Sequence, residues 1–432
     1  MAEVRKIKNF DDLARNDLRR DALSIAEAGL EAIDTKKAIA CAVRISNQGI
    51  SILDQRFELN KKGRFFVVGV GKCSLDAAEA LENLLGDSIY KGMVIDIRCN
   101  PELKRIKSCE GDHPFPSQRN VDLTSEMIEI LKEVTKDDLV IAIISGGGST
   151  LLCNPVNFTC VDESNIVQCL FRGGATIQEI NIVRKHLSLA RGGNLAKACY
   201  PSQVVALVFS DVVGNDLHAI ASGPLLKDDS SVEEAREILQ KYFADKRCSF
   251  NLDNLMETPK EDKYFEKVHH VMMVSNDIGL FAMKREAEKL GLNARICTSC
   301  LVGEASVKGR DIAKELHHAQ KKNVLLYGGE TIVRMRGSGK GGRNQEIVLS
   351  ALQNLKEDEC LISMASDGRD NTEVAGAICD TISVGTAKIK KLSPKKYLDN
   401  NDSFPFFAEL NDHIITGPTG SNVADFIIAL RR

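Results

Sequence analysis

The sequence predicts an α/β fold in two domains, the first built on a doubly wound and mostly parallel sheet. Three observations carry this. Apolar β-forming runs alternate with segments of helical periodicity along most of the chain. Five of those runs end in glycine-rich or acidic turns, the pattern of a site at the carboxyl ends of strands. The alternation lapses once, over residues 248–267, where a polar stretch without periodicity separates two blocks.

The elements follow in order. Residues 16–48 read as helix, with Asn16 or Asp17 as cap and Leu18, Leu23, Ile25, Ala26, Leu30 and Ile33 at helical spacing. Residues 64–68 form a strand, and Lys72 opens a helix to about residue 85. Residues 92–97 form the next strand, and Ser117 caps a helix through residue 133. Residues 139–144 form the strand before the longest glycine loop. Helices over 164–171 and 177–188 precede a strand at 203–209. The second block predicts strands at 271–274, 294–297, 323–327 and 360–365, with helices at 279–290, 305–317 and 344–355. The domains are therefore expected at 1–250 and 265–432.

Composition narrows the class. A chain of 432 residues, 43% hydrophobic and 27% charged, is an ordinary soluble globular protein. Net charge is −3 with the cations dispersed, which excludes a nucleic-acid footprint. No apolar run reaches the roughly 18 residues of a membrane span. The start, Met1 to Lys6, lacks the apolar core of a signal peptide, and Glu3, Asp11 and Asp12 argue against a transit peptide. A cytoplasmic location is expected. The 13 cysteines are scattered and read as reduced, mostly buried small residues. Cys297 and Cys300 have CxxC spacing, but two further ligands at matching spacing are missing.

The turns carry the chemistry. Ser145-Gly146-Gly147-Gly148-Ser149 after an apolar strand lets several backbone N–H groups converge on an anion, and the hydroxyls add donors. Gly69-Val70-Gly71-Lys72 misses the third glycine of the dinucleotide pattern, where Ser74 stands. It misses the Walker pattern because Phe66 occupies the first glycine position. What remains is a lysine at a helix start, either a solvated side chain or a cation that opposes the helix dipole until an anion binds. Residues 337–346 combine four glycines with Lys340 and Arg343 ahead of a helix, a second candidate anion loop. Asp211, Glu330 and Asp367 stand at strand ends, where carboxylates hold Mg²⁺ or act as bases, although each alone is more often a turn former. Together these features point to metal-assisted phosphoryl transfer.

The chain resembles the glycerate 2-kinase family, whose C-terminal part is called the MOFRL domain. The runs that carry the resemblance are residues 144–152, 179–188, 210–214 with 220–224, 328–331, 339–346 and 416–423, in the family's order. The resemblance implies a Rossmann-like N-terminal domain, a C-terminal α/β domain with its MOFRL region at about 323–428, and an active site in the cleft between them. It implies ATP-dependent phosphorylation of D-glycerate to 2-phosphoglycerate with Mg²⁺. The family's catalytic lysine and arginine map onto Lys72 and Arg343, and its strand-end aspartates onto Asp211 and Asp367. Candidate contacts for substrate or phosphate are Ser145, Gly146, Gly147, Gly148, Ser149, Arg184, Lys185, Lys340 and Asn344, and candidate metal ligands are Glu330 and Asp367. Arg191, where a lysine is usual, Asn215, where an aspartate is usual, and Asp112, where a glycine is usual, depart from the pattern. The expected partners are D-glycerate and ATP, with no nucleic acid and no membrane, in a monomer or homodimer.

Two other readings compete. An NAD(P)-dependent 2-hydroxyacid oxidoreductase would use Gly69-Val70-Gly71 and a ribose contact from Asp96. A ligand-binding sensor would use the same loops without turnover. The residues alone do not rank Asp211 against Asp367 as base.

Overall fold

A computed structural model describes residues 5–46, 49–243 and 251–432. The chain forms two compact units. The first is residues 38–273; the second joins the segment up to Lys37 to Val274–Arg432. The sequence puts its junction at 248–267, of which residues 248–250 lie outside the described residues. The remainder carries only short turns at Leu252–Asn254 and Asp262–Tyr264.

The first unit opens with a small antiparallel sheet, β1 (Val43–Ser46), β2 (Gly49–Ile52) and β3 (Gln55–Glu58). The predicted long helix is instead two helices, Asp17–Ala32 and Thr35–Ala42, followed by β1. The reason is local: helical periodicity ends at Ile33, and Val43 and Ile45 are β-branched residues that suit a strand. Asn16 does cap the first helix, accepting from the Arg19 N–H. The main sheet holds β4 (Phe65–Val70), β5 (Ile89–Asp96), β6 (Ile106–Glu110), β7 (Leu139–Ser145), β8 (Gln203–Phe209) and β9 (Val268–Val274). Its order is β6-β5-β4-β7-β8-β9, with every pair from β6 to β8 parallel. Every residue of β4 and β7 is buried, as expected for parallel strands covered on both faces. Chain order reverses between β4 and β7, so the carboxyl ends of these neighbours open a crevice at a topological switch point. β9, which sequence pattern assigns to the second block, is the edge strand of this sheet.

The second unit has a mixed sheet: β10 (Asn293–Leu301), β11 (Asn323–Gly329), β12 (Glu359–Ala365), β13 (Gly376–Cys379), β14 (His413–Ile414) and β15 (Asp425–Arg431), in the order β10-β11-β15-β12-β13-β14. The chain's last strand, β15, is inserted antiparallel between β11 and β12. Its first residue, Asp425, lies in register with Gly329 on one side and Ala365 on the other. The helix Asp17–Ala32 belongs here because its Arg19 is fully buried and ion-paired to Asp380 and Asp412, each at 2.7 Å. Its Gly29 also lies so close to Met283 that a Cβ would clash.

Among the described residues no helix is long and apolar enough to cross a membrane. Eleven cysteines are free thiols, whereas Cys169 is disulfide-bonded, a departure from the reduced set the sequence predicts.

Candidate active site

In the first unit, parallel register brings three of the predicted turns together. Val70 pairs with Ile144 and Ser145 with Phe209, so the turns after β4, β7 and β8 leave the sheet side by side. The Lys72 N–H donates to the Gly146 carbonyl at 2.9 Å, tying the first turn to the glycine loop. Gly71 has φ +117°, and a Cβ there would lie 2.1 Å from Ser145 Oγ. A Cβ at Gly146 would lie 2.0 Å from Asp211 Oδ2, so only glycine lets that carboxylate rest on the loop. Gly147 runs along the aliphatic stem of Lys72. Lys72 itself is exposed in the turn just before the helix Ser74–Leu85, and its ammonium pairs with no carboxylate among the described residues.

Not every glycine-loop hydroxyl faces outward. Ser145 is buried; its Oγ accepts from the Cys73 N–H and donates to the Val70 carbonyl, each at 3.4 Å. Ser149 Oγ meets Ser222 Oγ at 2.9 Å, and Ser222 donates to Asn181 Oδ1 at 3.0 Å. Ala221, Ser222 and Gly223 all have φ between +51° and +59°. Two consecutive non-glycine residues in the left-handed region cost about 1 kcal/mol or more each. The fold keeps this strained turn directly against the loop.

The helix Ile177–His186, capped by a Thr176–Glu179 box, presents the predicted basic run. Lys185 is buried and paired to Asp228 at 3.0 Å, so its charge is matched inside the fold. Arg184 is half-buried, with its Nε enclosed and without a hydrogen-bond partner. Asp96, the candidate ribose contact, is fully buried and accepts from the backbone N–H groups of Leu75 and Ile97. It anchors the start of the helix after Lys72, and burial raises its carboxyl above the usual range.

In the second unit the turns after β11 and β12 flank the start of β15. Arg343 Nε and Nη2 donate to Asp425 at 2.6 and 3.0 Å, and Nη1 lies 2.9 Å from Glu330. Burial pushes Asp425 up to about 6, held back by Arg343. Arg343 stays charged, because Asp425 and Glu330 outweigh its own burial. Glu330, a predicted metal ligand, is therefore engaged with the predicted catalytic arginine. Its strand is separated from that of Asp367 by β15, roughly 10 Å across the sheet. Asp367 is partly exposed and takes the Arg369 N–H at 2.9 Å, as a turn former does. Asn344 is fully buried between Asp370 and Ser363, with both ends of its amide engaged. Lys340 pairs with Glu373 and lies 3.9 Å above the Phe404 ring. Among the described residues no group of three or more histidine, cysteine or acidic side chains is placed to hold a metal on its own. Asp211 and Asp367, each on its own unit, are partly exposed.

Residues 21–257 match a family described as a domain of unknown function, DUF4147, and residues 323–425 match the MOFRL family. The chain is 35% identical to a glycerate 2-kinase of Pyrococcus horikoshii, over 96% of this chain and 97% of that protein. It is 37% identical to a D-glycerate 2-kinase of Thermotoga maritima, over 85% and 90% respectively. This chain belongs to the glycerate 2-kinase family. Its enzyme class is that of a phosphotransferase. The crystal structure of a Thermotoga maritima glycerate kinase superposes with a TM-score of 0.85 at 33% identity, covering 96% of this chain and 99% of that one.

Within this glycerate 2-kinase fold, Lys72, Ser145–Ser149 and Asp211 gather at the switch point of one sheet, and Glu330 and Arg343 gather at the start of β15 in the other. Sequence reasoning misses Asp425. Asp425 opens the apolar run 426–430, the one signal that marks it. Asp370 is buried and caps the helix Arg343–Leu352 through the N–H groups of Asn344 and Gln345, so it sets the direction from which Arg343 emerges.

Proposed function

We propose that this kinase transfers the terminal phosphoryl group of ATP to the 2-hydroxyl of D-glycerate, giving 2-phosphoglycerate. The observation that carries the reading is Lys72: an exposed cation with no carboxylate partner, laid along a glycine loop at a topological switch point. A family match over nearly the whole chain supports the reaction class.

The roles follow from charge and exposure. The glycine loop offers backbone N–H groups and Ser149 to anionic oxygens. Lys72 and the clamped guanidinium of Arg343 offset charge that builds on the transferring group. Asp211, resting on Gly146, or Asp367 accepts the proton of the attacking hydroxyl. Mg²⁺, when bound with the nucleotide, neutralises phosphate charge; Asp211, Asp367 or Glu330 would hold it directly or through water. Lys72 and Asp211 belong to one unit and Arg343 and Asp367 to the other. The cytoplasm is the proposed setting, from composition.

The test couples the purified protein, Mg-ATP and D-glycerate directly to enolase, which consumes 2-phosphoglycerate. Signal without added phosphoglycerate mutase is expected. Signal that appears only with the mutase identifies 3-phosphoglycerate and rejects the assignment.

A further inference from the structure

Two guanidinium groups lie near one another in the first unit, Arg191 fully enclosed and Arg184 half-buried, and among the described residues one carboxylate accompanies them. Arg191 is 0% exposed. Its Nη1 donates to Glu163 Oε1 at 2.7 Å, while Nε and Nη2 are buried without a hydrogen-bond partner among the described residues, with the Cys153 side chain close by. The other oxygen of Glu163 accepts the Cys153 thiol at 3.4 Å. Arg184 lies near enough to Arg191, Glu163 and Cys153 to sense all three, and its guanidinium makes no ion pair among the described residues. Burial, and then the like charge of Arg191, push Arg184 down to about 10, still charged at neutral pH. The Cys153 thiol is driven far above its usual range by burial and stays neutral. The charge count is therefore two positive groups against one negative. The neighbouring Lys185 does not alter it, because Asp228 matches that charge.

A buried cation without a counter-charge costs several kcal/mol. Arg184 is half-buried and lacks such a counter-charge among the described residues, which leaves a place for an anion. We infer that Arg184 and Arg191 form the receptor for the carboxylate of a small hydroxy-acid substrate, with Glu163 fixing the orientation of Arg191. A monoanion balances the site, whereas a phosphate dianion would overshoot it by one charge. The planar forks of arginine match a carboxylate edge. The place also suits a short substrate. Asn181, one helical turn before Arg184, accepts the Ser222 hydroxyl, which meets Ser149 of the glycine loop. An acid held at Arg184 would thus lie one helical turn and two hydrogen bonds from the loop assigned to phosphate.

This inference rests on the proposed function, and its test separates the two. Sodium D-glycerate, glycerol and inorganic phosphate are titrated, without nucleotide, against the full chain and against R184M and R191K, by calorimetry and by melting temperature. D-glycerate is expected to bind and raise the melting temperature of the unsubstituted chain; glycerol is not, and phosphate binds more weakly. R184M should lose glycerate affinity by about tenfold to a hundredfold, the worth of a hydrogen-bonded charge pair. Its ligand-free melting temperature should hold or rise, because one of two neighbouring like charges is gone; a merely structural arginine would lower it. R191K keeps the charge but has fewer donors, and should raise KM for glycerate with kcat and KM for ATP little changed. Normal glycerate binding by R184M overturns the receptor. Phosphate binding as tight as glycerate, lost in R184M, overturns its assignment to a carboxylate. If the unsubstituted chain binds glycerate through Arg184 yet never phosphorylates it, the receptor stands and the reaction fails.

Discussion

The cations of the two units are handled in opposite ways. Among the described residues of the first, Lys72 and Arg184 have no carboxylate partner, and Arg191 keeps two nitrogens without a hydrogen bond. In the second, Arg343 is gripped by three carboxylate oxygens, and Lys340 by Glu373 and the face of Phe404. An uncommitted cation gains most from a ligand. A clamped one gives up affinity for position, since its geometry is set before any ligand arrives. Glycine loops alone do not distinguish these strategies, because both units have them.

The sharpest test of that contrast is to delete one cation from each unit. Lys72→Ala should lower kcat about a thousandfold, the scale of a charge-stabilising group in phosphoryl transfer. Its melting temperature should stay constant, because Lys72 is exposed and unpaired. Arg343→Ala should lower kcat comparably and also destabilise by about 3 kcal/mol, since Asp425, 1% exposed, loses its bidentate partner. Adding Asp425→Asn to Arg343→Ala should restore the melting temperature without restoring the rate. The two rate losses should combine less than additively in the double variant if both cations act on one developing charge. Full additivity would mean that the units do not serve the same step.

The carboxylates come next. Asp211→Asn and Asp367→Asn should each lower kcat about a hundredfold, and EDTA should abolish turnover. Ordinary rates in both variants would remove these residues from the chemistry. Gly146→Ala should mimic Asp211→Asn, because the new methyl group takes the place of that carboxylate.

The clamp predicts a pH effect in which rate and stability have opposite signs. Burial holds Asp425 at about 6, above the unfolded carboxyl, so its stabilising contribution is complete at low pH and is lost as pH rises through about 6. The rate should do the reverse: below about pH 6 the protonated acid releases Arg343, and kcat should fall toward tenfold per pH unit. A pH–rate profile checks this, and Asp425→Asn should remove the acid limb.

The smallest effect concerns one histidine in each unit, the partly buried His270 and the buried His413. Burial lowers His270 on β9 and His413 on β14 to about 4. The unfolded chain takes up protons from about pH 6.5 downward while the folded chain does not, so stability falls as pH drops from there toward about 4. His270→Gln and His413→Gln should each remove about 1 kcal/mol of the acid-induced loss between pH 7 and 5, read from denaturant midpoints. Midpoints that track the unsubstituted chain would place the acid sensitivity elsewhere.

Much of the first unit was legible because its information is local. Strands β4, β7 and β8 are apolar runs bounded by glycine, and parallel strands buried on both faces look that way in any context. Ser117 was legible as a cap because its partner Asn120 stands three residues on. The family resemblance extended this to the reaction class. The short β1–β2–β3 sheet was not legible, since its strands are four residues each and adjoin a helix whose periodicity runs up to them.

By itself, then, the sequence determined most strands of the main parallel sheet, where glycine turns end them, and which chemistry those turns suit. Tertiary structure alone decided who neutralises whom. Arg343 and Asp425 stand 82 positions apart, and Arg19 and Asp412 stand 393 apart. Only the insertion of β15 between β11 and β12 puts Asp425 beside Arg343, and only the packing around Glu163 leaves Arg184 and Arg191 one counter-charge short. Periodicity reports which face of an element is buried. It does not report what the buried charges meet there, because that depends on strand order and long-range contact rather than on neighbours in the chain.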